Sequence, residues 1–492
     1  MANTYKHGTY GVYGESIGAT PVKSKTVAVY VGTAPVNLVS GYADLGLVNK
    51  PILVNDYASA VANLGYSDDW DTFTLCEAIK AHFNNPLGNA GSVVFINVLD
   101  PDVHRSEEAV TANLTFTNGR ATLESDKIIL DTLTLNGKTR GVDYDVQYSH
   151  TSGKLTIVSI GNTKISGSVS ATYYEIDTAA IDETTIIGEA TENGVYTGLG
   201  VCDLIYQAHN VIPSLIVAPS WSEIPEVYEA MLTKASKLNG HWDAFVYADI
   251  PILDGSTKVD TIALAKKWQT DNGYTNGNSK VFYPQIETTA GDIYHLSTLA
   301  AWRTMLTDNA NDGIPMESPS NKPIPAAKQY FGADSTNVGF DQERGNGLNE
   351  VGITTAVYWG GKWVLWGSHT AAYKYGNTAD AKYIFDNSVR MMMYVLNNYQ
   401  VEHAATIDKP MTRALAETIK NREQQKADAL AAVGAFIGKP VVEFRESENS
   451  TADLVDGNFV WSFEGTPTPP FKSGTLSAAY TDAGFVSFYE EV

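Results

Sequence analysis

Hydrophobic and polar positions between residues 349 and 370 predict a β-hairpin. Ile353–Trp359 is rich in β-branched and aromatic residues, which favour strands, and Lys362–Trp366 has a similar character. Gly360-Gly361 lies between the two runs and suits a two-residue turn, because glycine readily adopts positive φ angles. The pattern therefore predicts two antiparallel strands joined by a tight turn.

The predicted register of this hairpin places Val357 opposite Val364 and Tyr358 opposite Trp363. Both faces are then largely apolar, whereas a hairpin with one solvated face alternates apolar and polar residues. We therefore expect the hairpin to lie in the middle of the core, inside a sheet that is covered on both sides. Its predicted core residues are Ile353, Val357, Trp359, Trp363, Leu365 and Trp366.

Upstream, two stretches of alternating strand and helix patterns enclose a stretch with strand patterns only. Buried-type strands at residues 25–32 and 92–99 flank predicted helices at residues 56–64 and 72–83, the first of them capped by Asn55. Residues 111–174 contain only strand and turn signals, including Asn118-Gly119 and Asn136-Gly137. The strand–helix alternation returns near Gly198, so the β-rich stretch is predicted to be an insertion.

The remaining elements are predicted from the same strand and helix patterns of apolar and polar residues. A long proline-rich loop is predicted at residues 313–343. Predicted strands occupy residues 211–217, 244–250, 280–283, 441–444, 459–463, 475–480 and 485–489. Predicted helices occupy residues 224–238, 257–270, 293–307, 383–399 and 411–433.

These elements predict an α+β or α/β multidomain protein, with a mixed-sheet α/β core, an inserted all-β domain and extended N- and C-terminal arms. The predicted divisions are an N-terminal arm (1–20), a first core part (21–100), the inserted β-domain (101–195), a second core part (196–345), a C-terminal core domain (346–470) and a C-terminal arm (471–492).

Composition and charge narrow the functional classes. The 492 residues are 43% hydrophobic and 18% charged, which is typical of a folded chain of several domains. The formal net charge of −22 opposes binding to nucleic acid. Cys76 and Cys202 are flanked by apolar residues, so we expect free buried thiols. The start lacks a signal-peptide core, and no apolar run approaches the ~18 residues of a membrane helix, so we expect neither signal-peptide export nor membrane insertion.

The sequence lacks motifs for an enzyme, a nucleotide or a metal. There is no Walker A loop, no His-Glu-x-x-His and no Gly-x-Ser-x-Gly, so we predict no catalytic residue, no cofactor and no metal ligand. Asp249 ends a predicted strand, where α/β enzymes place acidic residues, and this leaves an α/β carbohydrate-active enzyme as an alternative. Strand-end capping explains Asp249 equally well, and we expect His369 to be a hydrogen-bonded structural residue.

The two ends of the chain differ in charge. Residues 1–25 carry Lys6, Lys23 and Lys25 against Glu15, whereas residues 441–492 carry nine acidic residues against Arg445 and Lys472. Such ends suit pairing between copies by strand addition, although solvated termini are the alternative. The residues expected to contact another subunit are Tyr10, Val12, Tyr13, Phe485, Val486, Phe488 and Tyr489.

Several runs together resemble the sheath proteins of contractile phage tails and related contractile injection particles. The resemblance covers roughly residues 20–100 and 195–492. Its blocks include KTVAVYVGTAP, GSVVFINVLDP, NVIPSLIVAPSW, AFVYADIP, HLSTLAAWRTMLTDNANDGIPMESPSN, NEVGITTAVYWGGKWVLWGSHT and YIFDNSVRMMMYVLNNY. The family often has Ala-Arg where this chain has Ser368-His369, and residues 101–195 match no common block; the resemblance implies that this insertion faces outward.

The resemblance implies a structural subunit of a contractile tail sheath and no enzymatic activity. Subunits of that family stack as six-fold rings around an inner tail tube protein, meet baseplate and tail terminator proteins, and contract to drive the tube through the target cell envelope. Terminal arms add strands to the sheets of neighbouring subunits. The implied location is a virion tail or phage-tail-like particle assembled in the host cytoplasm, where contraction serves genome ejection and entry. A non-contractile lattice protein remains an alternative.

Overall fold

The computed structural model describes residues 26–162, 164–377 and 380–490. Tyr10, Val12 and Tyr13 therefore lie outside the described residues. In the first part of the chain, apolar runs form buried strands, and Asp56 caps a helix by accepting a hydrogen bond from the backbone N–H of Ser59 (2.8 Å). The cap is thus one residue later than the predicted Asn55. The elements are β1 (Ala28–Gly32), α1 (Tyr42–Leu45), β2 (Pro51–Val54), α2 (Tyr57–Leu64), α3 (Thr74–Phe83) and β3 (Val93–Asn97).

Six strands then form two three-stranded antiparallel sheets over a core of their own. Asn118 and Gly119 both have positive φ angles, as the Asn-Gly turn signal requires. The strands are β4 (Val110–Phe116), β5 (Arg120–Leu123), β6 (Thr134–Leu135), β7 (Tyr144–Ser149), β8 (Lys154–Ser159) and β9 (Gly167–Tyr173), followed by α4 (Glu183–Ile187). The boundaries predicted for an inserted domain stay a prediction.

The second stretch of alternating elements builds most of the central layer. Its elements are α5 (Ile205–His209), β10 (Leu215–Val217), α6 (Pro225–Ala235), β11 (Phe245–Asp249), β12 (Leu253–Asp254), β13 (Thr257–Lys258), α7 (Ile262–Asp271), β14 (Ser279–Phe282), β15 (Gln285–Glu287), β16 (Ile293–Tyr294), α8 (Leu296–Ala310), β17 (Lys328–Tyr330), α9 (Gln342–Asn349), β18 (Ile353–Trp359) and β19 (Lys362–Trp366).

A C-terminal unit packs beside this layer. It consists of α10 (Asp386–His403), α11 (Arg413–Ala432), β20 (Phe436–Glu443), α12 (Thr451–Val455), β21 (Ser462–Pro467) and the short α13 (Ser487–Glu490). Strands β20 and β21 pair antiparallel, and α11 packs on β20. A small apolar cluster that includes Ile314, Met391 and Phe436 joins the unit to the rest of the molecule.

The central layer is one eight-stranded mixed sheet in the order β19-β18-β14-β11-β10-β1-β3-β2. Neighbours from β3 to β18 run parallel, and an antiparallel strand closes each end, β2 beside β3 and β19 beside β18. The parallel strands are apolar and almost entirely buried, as expected for strands covered on both faces. The predicted mixed-sheet α/β core is thereby present.

The hairpin formed by β18 and β19 has the predicted register, because Val357 pairs with Val364 and Tyr358 with Trp363. Its predicted position in the middle of the core is wrong. It forms one end of the sheet, so Tyr358 and Trp359 at its tip are 60% and 50% exposed. Trp359 is therefore not a core residue, and Trp363 and Trp366 are only partly buried, whereas Ile353, Val357 and Leu365 are buried.

The outer edge of β19 is covered by the chain itself. Residues 321–324 run along it: the backbone N–H of Leu365 donates to the carbonyl of Lys322 (3.1 Å), and that of Ile324 donates to the carbonyl of Trp363 (3.1 Å). We expect an edge of the hairpin's sheet to be completed by arms from other subunits. The chain itself occupies the β19 edge, and completion at the other edge of the sheet, along β2, stays a prediction. An exposed strand edge is a liability, and the loop after α8 removes it.

Helix α9 covers one face of the hairpin and replaces part of the predicted loop at residues 313–343. A Cβ atom on Gly345 would lie 3.0 Å from Val357 Cγ1, so glycine allows the helix to approach β18 closely. Asn349 Nδ2 donates to the carbonyls of Ile353 and Trp366 (both 2.9 Å), which ties the helix end to both strands.

Three other predicted segments differ from the structure. The helix predicted at residues 257–270 begins only at Ile262, because Thr257–Lys258 pairs with Leu253–Asp254 as a small hairpin. The strands predicted at residues 475–480 and 485–489 are absent. Residues 475–480 have no regular structure, and residues 483–490 form helical turns, because no strand of the described residues lies alongside to accept their backbone hydrogen bonds.

We expect Trp302→Ala to lower the free energy of unfolding by about 3–5 kcal/mol, because a large buried side chain is lost without replacement. Trp302 is fully buried in α8, and its indole N–H donates to the carbonyl of Gly88 (2.9 Å). Urea unfolding followed by fluorescence measures the change. Val338→Ala is the control at an exposed site, with an expected change within about 0.5 kcal/mol. Equal effects of the two substitutions would contradict this description of the core.

Candidate functional site: a C-terminal assembly surface and its buried anchor

The C-terminal segment after β21, residues 471–488, lies on the surface with its apolar side chains exposed. Phe471, Leu476, Tyr480, Phe485, Val486 and Phe488 all belong to the exposed set. A soluble monomer does not usually expose so many large apolar side chains in one segment, and such surfaces mark contact sites. The segment, hereafter the C-terminal arm, is therefore a candidate for binding another molecule.

The two-stranded sheet of β20 and β21 is a second candidate contact surface. Its buried residues, including Phe436 and Val442, face α11, whereas Ile437 and Val441 are exposed. In the described part of the chain, this sheet contains no further strand. The outer edge of β20 is partly occupied, because the Gln424 side chain of α11 donates to the carbonyl of Pro440 (2.9 Å) and accepts from the backbone N–H of Val442 (2.8 Å). The outer edge of β21 is therefore the one to which an extended segment could pair.

Ion pairs join α10 to α11 beneath this sheet, and an apolar cleft lies between the two helices. His403 Nε2 lies 2.6 Å from Glu423 Oε1, and Lys426 Nζ lies 2.6 Å from the same oxygen. Lys426 also pairs with Glu402. The pairing and hydrogen bonding lower the pKa of Glu423, against the effect of its burial. A cleft of about 450 Å³ opens between the helices, lined by Val395, Leu430 and Phe463 among others.

A fully buried ion pair anchors this C-terminal unit to the central sheet. Lys280 on β14 and Asp386 at the start of α10 both have fully buried side chains, and Lys280 Nζ lies 2.6 Å from Asp386 Oδ2. The ammonium also donates to the carbonyl of Gly367 (2.8 Å). Burial lowers the pKa of Lys280, and the carboxylate of Asp386 opposes that effect.

The carboxylate of Asp386 is satisfied on both oxygens. Oδ2 accepts from the hydroxyl of Ser318 (3.1 Å), and Oδ1 accepts from the backbone N–H of Asn387 (2.7 Å). One helical turn further on, Arg390 pairs with the buried Asp308, which also accepts from the hydroxyl of Thr26 (2.5 Å). Helix α10 is thus bound to β14, to the loop after α8 and to the end of α8, and Thr26 shares the carboxylate of Asp308 with Arg390.

The hairpin leads directly into this anchor. After β19, the carbonyl of Gly367 accepts from Lys280, the carbonyl of Ser368 accepts from the backbone N–H of Asp386 (3.1 Å), and His369 Nδ1 lies 2.9 Å from the carbonyl of Ile384. His369 is therefore a hydrogen-bonded structural residue, as expected. Burial lowers the pKa of its imidazole to about 4. A groove of about 670 Å³ beside it is lined by Trp366, His369, Tyr373 and the first residues of the C-terminal arm.

A second buried polar cluster lies at the carboxyl end of β11, around His295. The imidazole Nδ1 lies 2.7 Å from Glu77 Oε2, and Nε2 lies 3.6 Å from Glu223 Oε1. Asp249 Oδ1 accepts from the backbone N–H of Ser297 (2.9 Å) at the start of α8. Asp249 thus has a structural role at the start of α8, where the sequence analysis had given capping of a strand end as the structural alternative.

The raised pKa values in this cluster have distinct causes. Burial raises the pKa of Asp249 to about 6 and that of Glu223 to about 7. For His295, burial acts to lower the pKa, but the Glu77 carboxylate beside it is decisive, and the pKa rises to about 10. The cluster therefore holds its protons more tightly in the folded protein than in the unfolded chain.

Disulfides, metal-binding groups and membrane-spanning helices are all absent from the described residues. Cys76 and Cys202 are free and buried, as expected. No group of three or more His, Cys, Asp or Glu side chains within the described ranges could hold a metal ion. None of the helices in the described ranges combines the length and apolar character needed to cross a membrane.

The predicted contact residues are only partly placed by the structure. Phe485, Val486 and Phe488 are brought together in the helical turns of the arm, where the rings of Phe485 and Phe488 stack (centroids 5.9 Å apart). Tyr489 belongs to α13. Lys280 and Asp386 were not predicted from the sequence; a lysine inside the fully buried strand SKVF was the signal that could have revealed the anchor.

Two phage proteins are similar to this chain in sequence. The tail sheath protein of Burkholderia phage BcepMu is 26% identical over 497 residues, covering 98% of both chains. The tail sheath protein of Escherichia phage P2 is 26% identical over 304 residues, covering 61% of this chain and 71% of that protein. No family model matches the chain.

Two solved structures share the fold. A chain of the anti-feeding prophage baseplate gives a TM-score of 0.54 at 12% identity, with 96% of this chain and 99% of that chain covered. A chain of the contracted sheath complex of an extracellular contractile injection system, PVC, also gives 0.54 at 12%, with 98% and 100% covered. The resemblance to contractile tail sheath proteins inferred from the sequence is confirmed.

We expect Lys280→Met to destabilise the protein by roughly 3–5 kcal/mol, because it leaves the carboxylate of Asp386 buried without its cation. The matched variant Lys280→Met with Asp386→Leu should recover much of that loss, since no unpaired charge remains. Urea unfolding of the single and double variants measures the difference. Equal destabilisation by both would mean that the ion pair is not the anchor described here.

We expect the His295 cluster to make the protein less stable as the pH rises. The pKa values of Asp249, Glu223 and His295 are raised in the folded state from 3.8, 4.5 and 6.5 to about 6, 7 and 10. Their contribution to stability is therefore complete at low pH and is lost stepwise as the pH passes through these values. Between pH 5 and 7 Glu223 contributes a slope of up to about −1.4 kcal/mol per pH unit.

Unfolding free energies of the wild type and Glu223→Gln across pH 5–10 measure this slope. The variant removes the Glu223 titration, so its profile should be flatter between pH 5 and 7. It also removes one of the carboxylates that raise the pKa of His295, so above pH 8 its profile should level off at a lower pH than that of the wild type. Identical profiles across the whole range would refute the assignment of a raised pKa to Glu223.

Proposed function

We propose that this chain is a structural subunit of a contractile tail sheath, which polymerises around an inner tail tube and contracts to drive the tube through a cell envelope. The single observation that carries the proposal is the similarity to a phage tail sheath protein over 98% of both chains. The fold shared with chains of contractile injection particles supports it. Copies of the subunit are the first partner, stacked as six-fold rings.

The subunit consists of a body, whose elements are joined by buried contacts, and the exposed C-terminal arm. This division suits a sheath subunit. A sheath that changes its length must let subunits move relative to one another while each keeps its fold. The buried pairs Lys280–Asp386 and Arg390–Asp308 bind α10 to strand β14 and to helix α8, so the C-terminal unit moves with the body. The C-terminal arm exposes apolar side chains outside that body, where another copy can bind them.

The two-stranded sheet of β20 and β21 is the acceptor that we propose for arms of neighbouring copies. Its open edge along β21 offers main-chain hydrogen bonds, and the exposed Ile437 and Val441 offer apolar contacts. An arm that pairs there would adopt the strand conformation that its alternating apolar residues favour but that it lacks in the single subunit. Tyr10, Val12 and Tyr13 of the N-terminal arm are proposed to bind neighbours in the same way.

The remaining partners follow from the same proposal. An inner tail tube protein lies inside the rings, and baseplate and tail terminator proteins bound the two ends of the sheath. The particle is a phage tail or a phage-tail-like particle, assembled in the host cytoplasm. No catalysis is required, because the energy of contraction is stored in the assembled, extended sheath.

Removal of either arm should abolish polymerisation and leave a folded subunit. We expect variants lacking residues 1–18 or residues 472–492 to keep the helix and strand content of the full chain by circular dichroism. Neither should form tubes that are visible by negative-stain electron microscopy. Regular tubes from both truncated variants would contradict the proposal that the arms link subunits.

Two pairs of substitutions distinguish a specific effect of the arm on tube formation from a general effect of losing exposed apolar side chains. Phe485→Ser with Phe488→Ser should reduce tube formation strongly, because these rings are exposed on the arm. Val142→Ser with Val338→Ser removes two exposed apolar side chains elsewhere and should leave tube formation unchanged. Loss of tubes in both double variants would instead indicate a general effect of surface polarity.

A further inference from the structure

The imidazole of His369 is held in one orientation by three neighbours. Its ring stacks on the ring of Tyr373, with centroids 3.4 Å apart and planes 1° apart, and on the ring of Phe385, with centroids 5.1 Å apart and planes 18° apart. Its Nδ1 lies 2.9 Å from the carbonyl oxygen of Ile384. A carbonyl oxygen only accepts hydrogen bonds, so Nδ1 carries the proton and Nε2 of the neutral ring is an acceptor.

Lys472 of the C-terminal arm lies at that acceptor. Its Nζ is 3.3 Å from His369 Nε2 and 3.4 Å from the hydroxyl of Tyr373. The same ammonium lies 5.3 Å from the centre of the Tyr373 ring, within the range of a cation–π contact. An ammonium has donors only, so the contact with His369 requires the neutral imidazole.

This contact is the last side-chain tie between the arm and the body within the described residues. The tie before it is at Thr468, whose backbone N–H donates to the carbonyl of Ala435 (3.0 Å) and whose carbonyl accepts from Asn387 Nδ2 (2.9 Å). Beyond Lys472, the hydrogen bonds of described residues stay inside the arm, as in Ser487 Oγ to the carbonyl of Gly484 (2.7 Å).

We propose that His369 is a positioning residue for the C-terminal arm: its neutral imidazole holds Lys472 and so fixes the point at which the arm leaves the subunit. With this tie made, residues 473–492 are available to reach a neighbour. Without it, the next fixed point is Thr468, and four more residues extend the reach by roughly 13 Å. The use of this reach for binding a second copy rests on the proposed function.

The tie depends on the charge state of His369. Burial lowers the pKa of the imidazole to about 4, and the charges of Lys472 and Lys280 act in the same direction. Asp386 opposes them, and Tyr373 presents its ring and hydroxyl. Protonation would place an N–H on Nε2 facing the ammonium of Lys472, so the hydrogen bond would be replaced by repulsion. The arm should therefore be released near pH 4.

A nitroxide spin label on Ser473→Cys reports this tie directly in the full-length subunit. Cys76 and Cys202 are 0% and 2% exposed, so the new thiol takes the label. We expect restricted label motion at pH 7 and a severalfold shorter correlation time near pH 4. In the His369→Phe and Lys472→Met backgrounds the label should move freely at both pH values. Lys472→Arg should restore most of the restriction, since arginine can also donate to Nε2.

Controls distinguish loss of the contact between His369 and Lys472 from unfolding of the subunit, and they test this contact independently of the proposed function. Tryptophan fluorescence must match that of the folded protein at both pH values, and a label on Tyr480→Cys should move equally in all backgrounds. Equal motion of the Ser473 label in the wild-type and Lys472→Met backgrounds at pH 7 would overturn the proposal. This outcome is independent of tube formation, whereas failure of the wild-type chain to form tubes would refute the proposed function and leave the tie intact.

Discussion

The buried ion pair between Lys280 and Asp386 is the interaction on which the arrangement of the C-terminal half depends. An ammonium group in an apolar sheet is tolerated only with a full set of partners, and the carbonyl of Gly367 and the carboxylate of Asp386 provide them. That requirement fixes where the hairpin must end and where α10 must begin. The hairpin, the loop after α8 and the C-terminal unit are consequently held at one place at the end of the sheet.

Rigid attachment on one side and an exposed arm on the other give the subunit two different kinds of surface. The body is bound together by buried pairs and by the mixed sheet, so it resists deformation. The arm, by contrast, leaves large apolar side chains exposed and is tied to the body at Thr468 and Lys472. In the proposed function, this combination would let neighbouring subunits stay connected while their bodies change relative position, as contraction of a sheath requires.

Local signals in the sequence predicted much of this structure. They did not predict the position of each element within the sheet, which depends on residues far apart in the chain. The register of the hairpin followed from Gly360-Gly361 and the flanking apolar residues, since turn length fixes strand pairing. Nothing local reveals that a hairpin lies at the end of a sheet, so the exposure of Tyr358 and Trp359 was missed. Helix α9 was missed because its sequence, QERGNGLN, contains two glycines and little apolar periodicity.

The candidate site was predictable only in part for the same reason. Alternating apolar residues in the arm indicated contacts, but a strand needs a partner, and the single subunit does not supply one. The partners of Lys280 lie 87 and 106 positions away along the chain, so no spacing rule could identify them. The predicted domain boundaries and the contact role of the arm residues stay predictions.

Electron cryo-microscopy of the assembled protein, before and after a mild destabilising treatment such as low urea, tests the central claim most directly. We expect two tubes, one long and narrow and one short and wide. In both, strands β1 to β21 of each subunit should superimpose while the arms bridge neighbouring copies. A single diameter and length under every treatment would contradict contraction, as would two tubes whose subunits differ in the body itself.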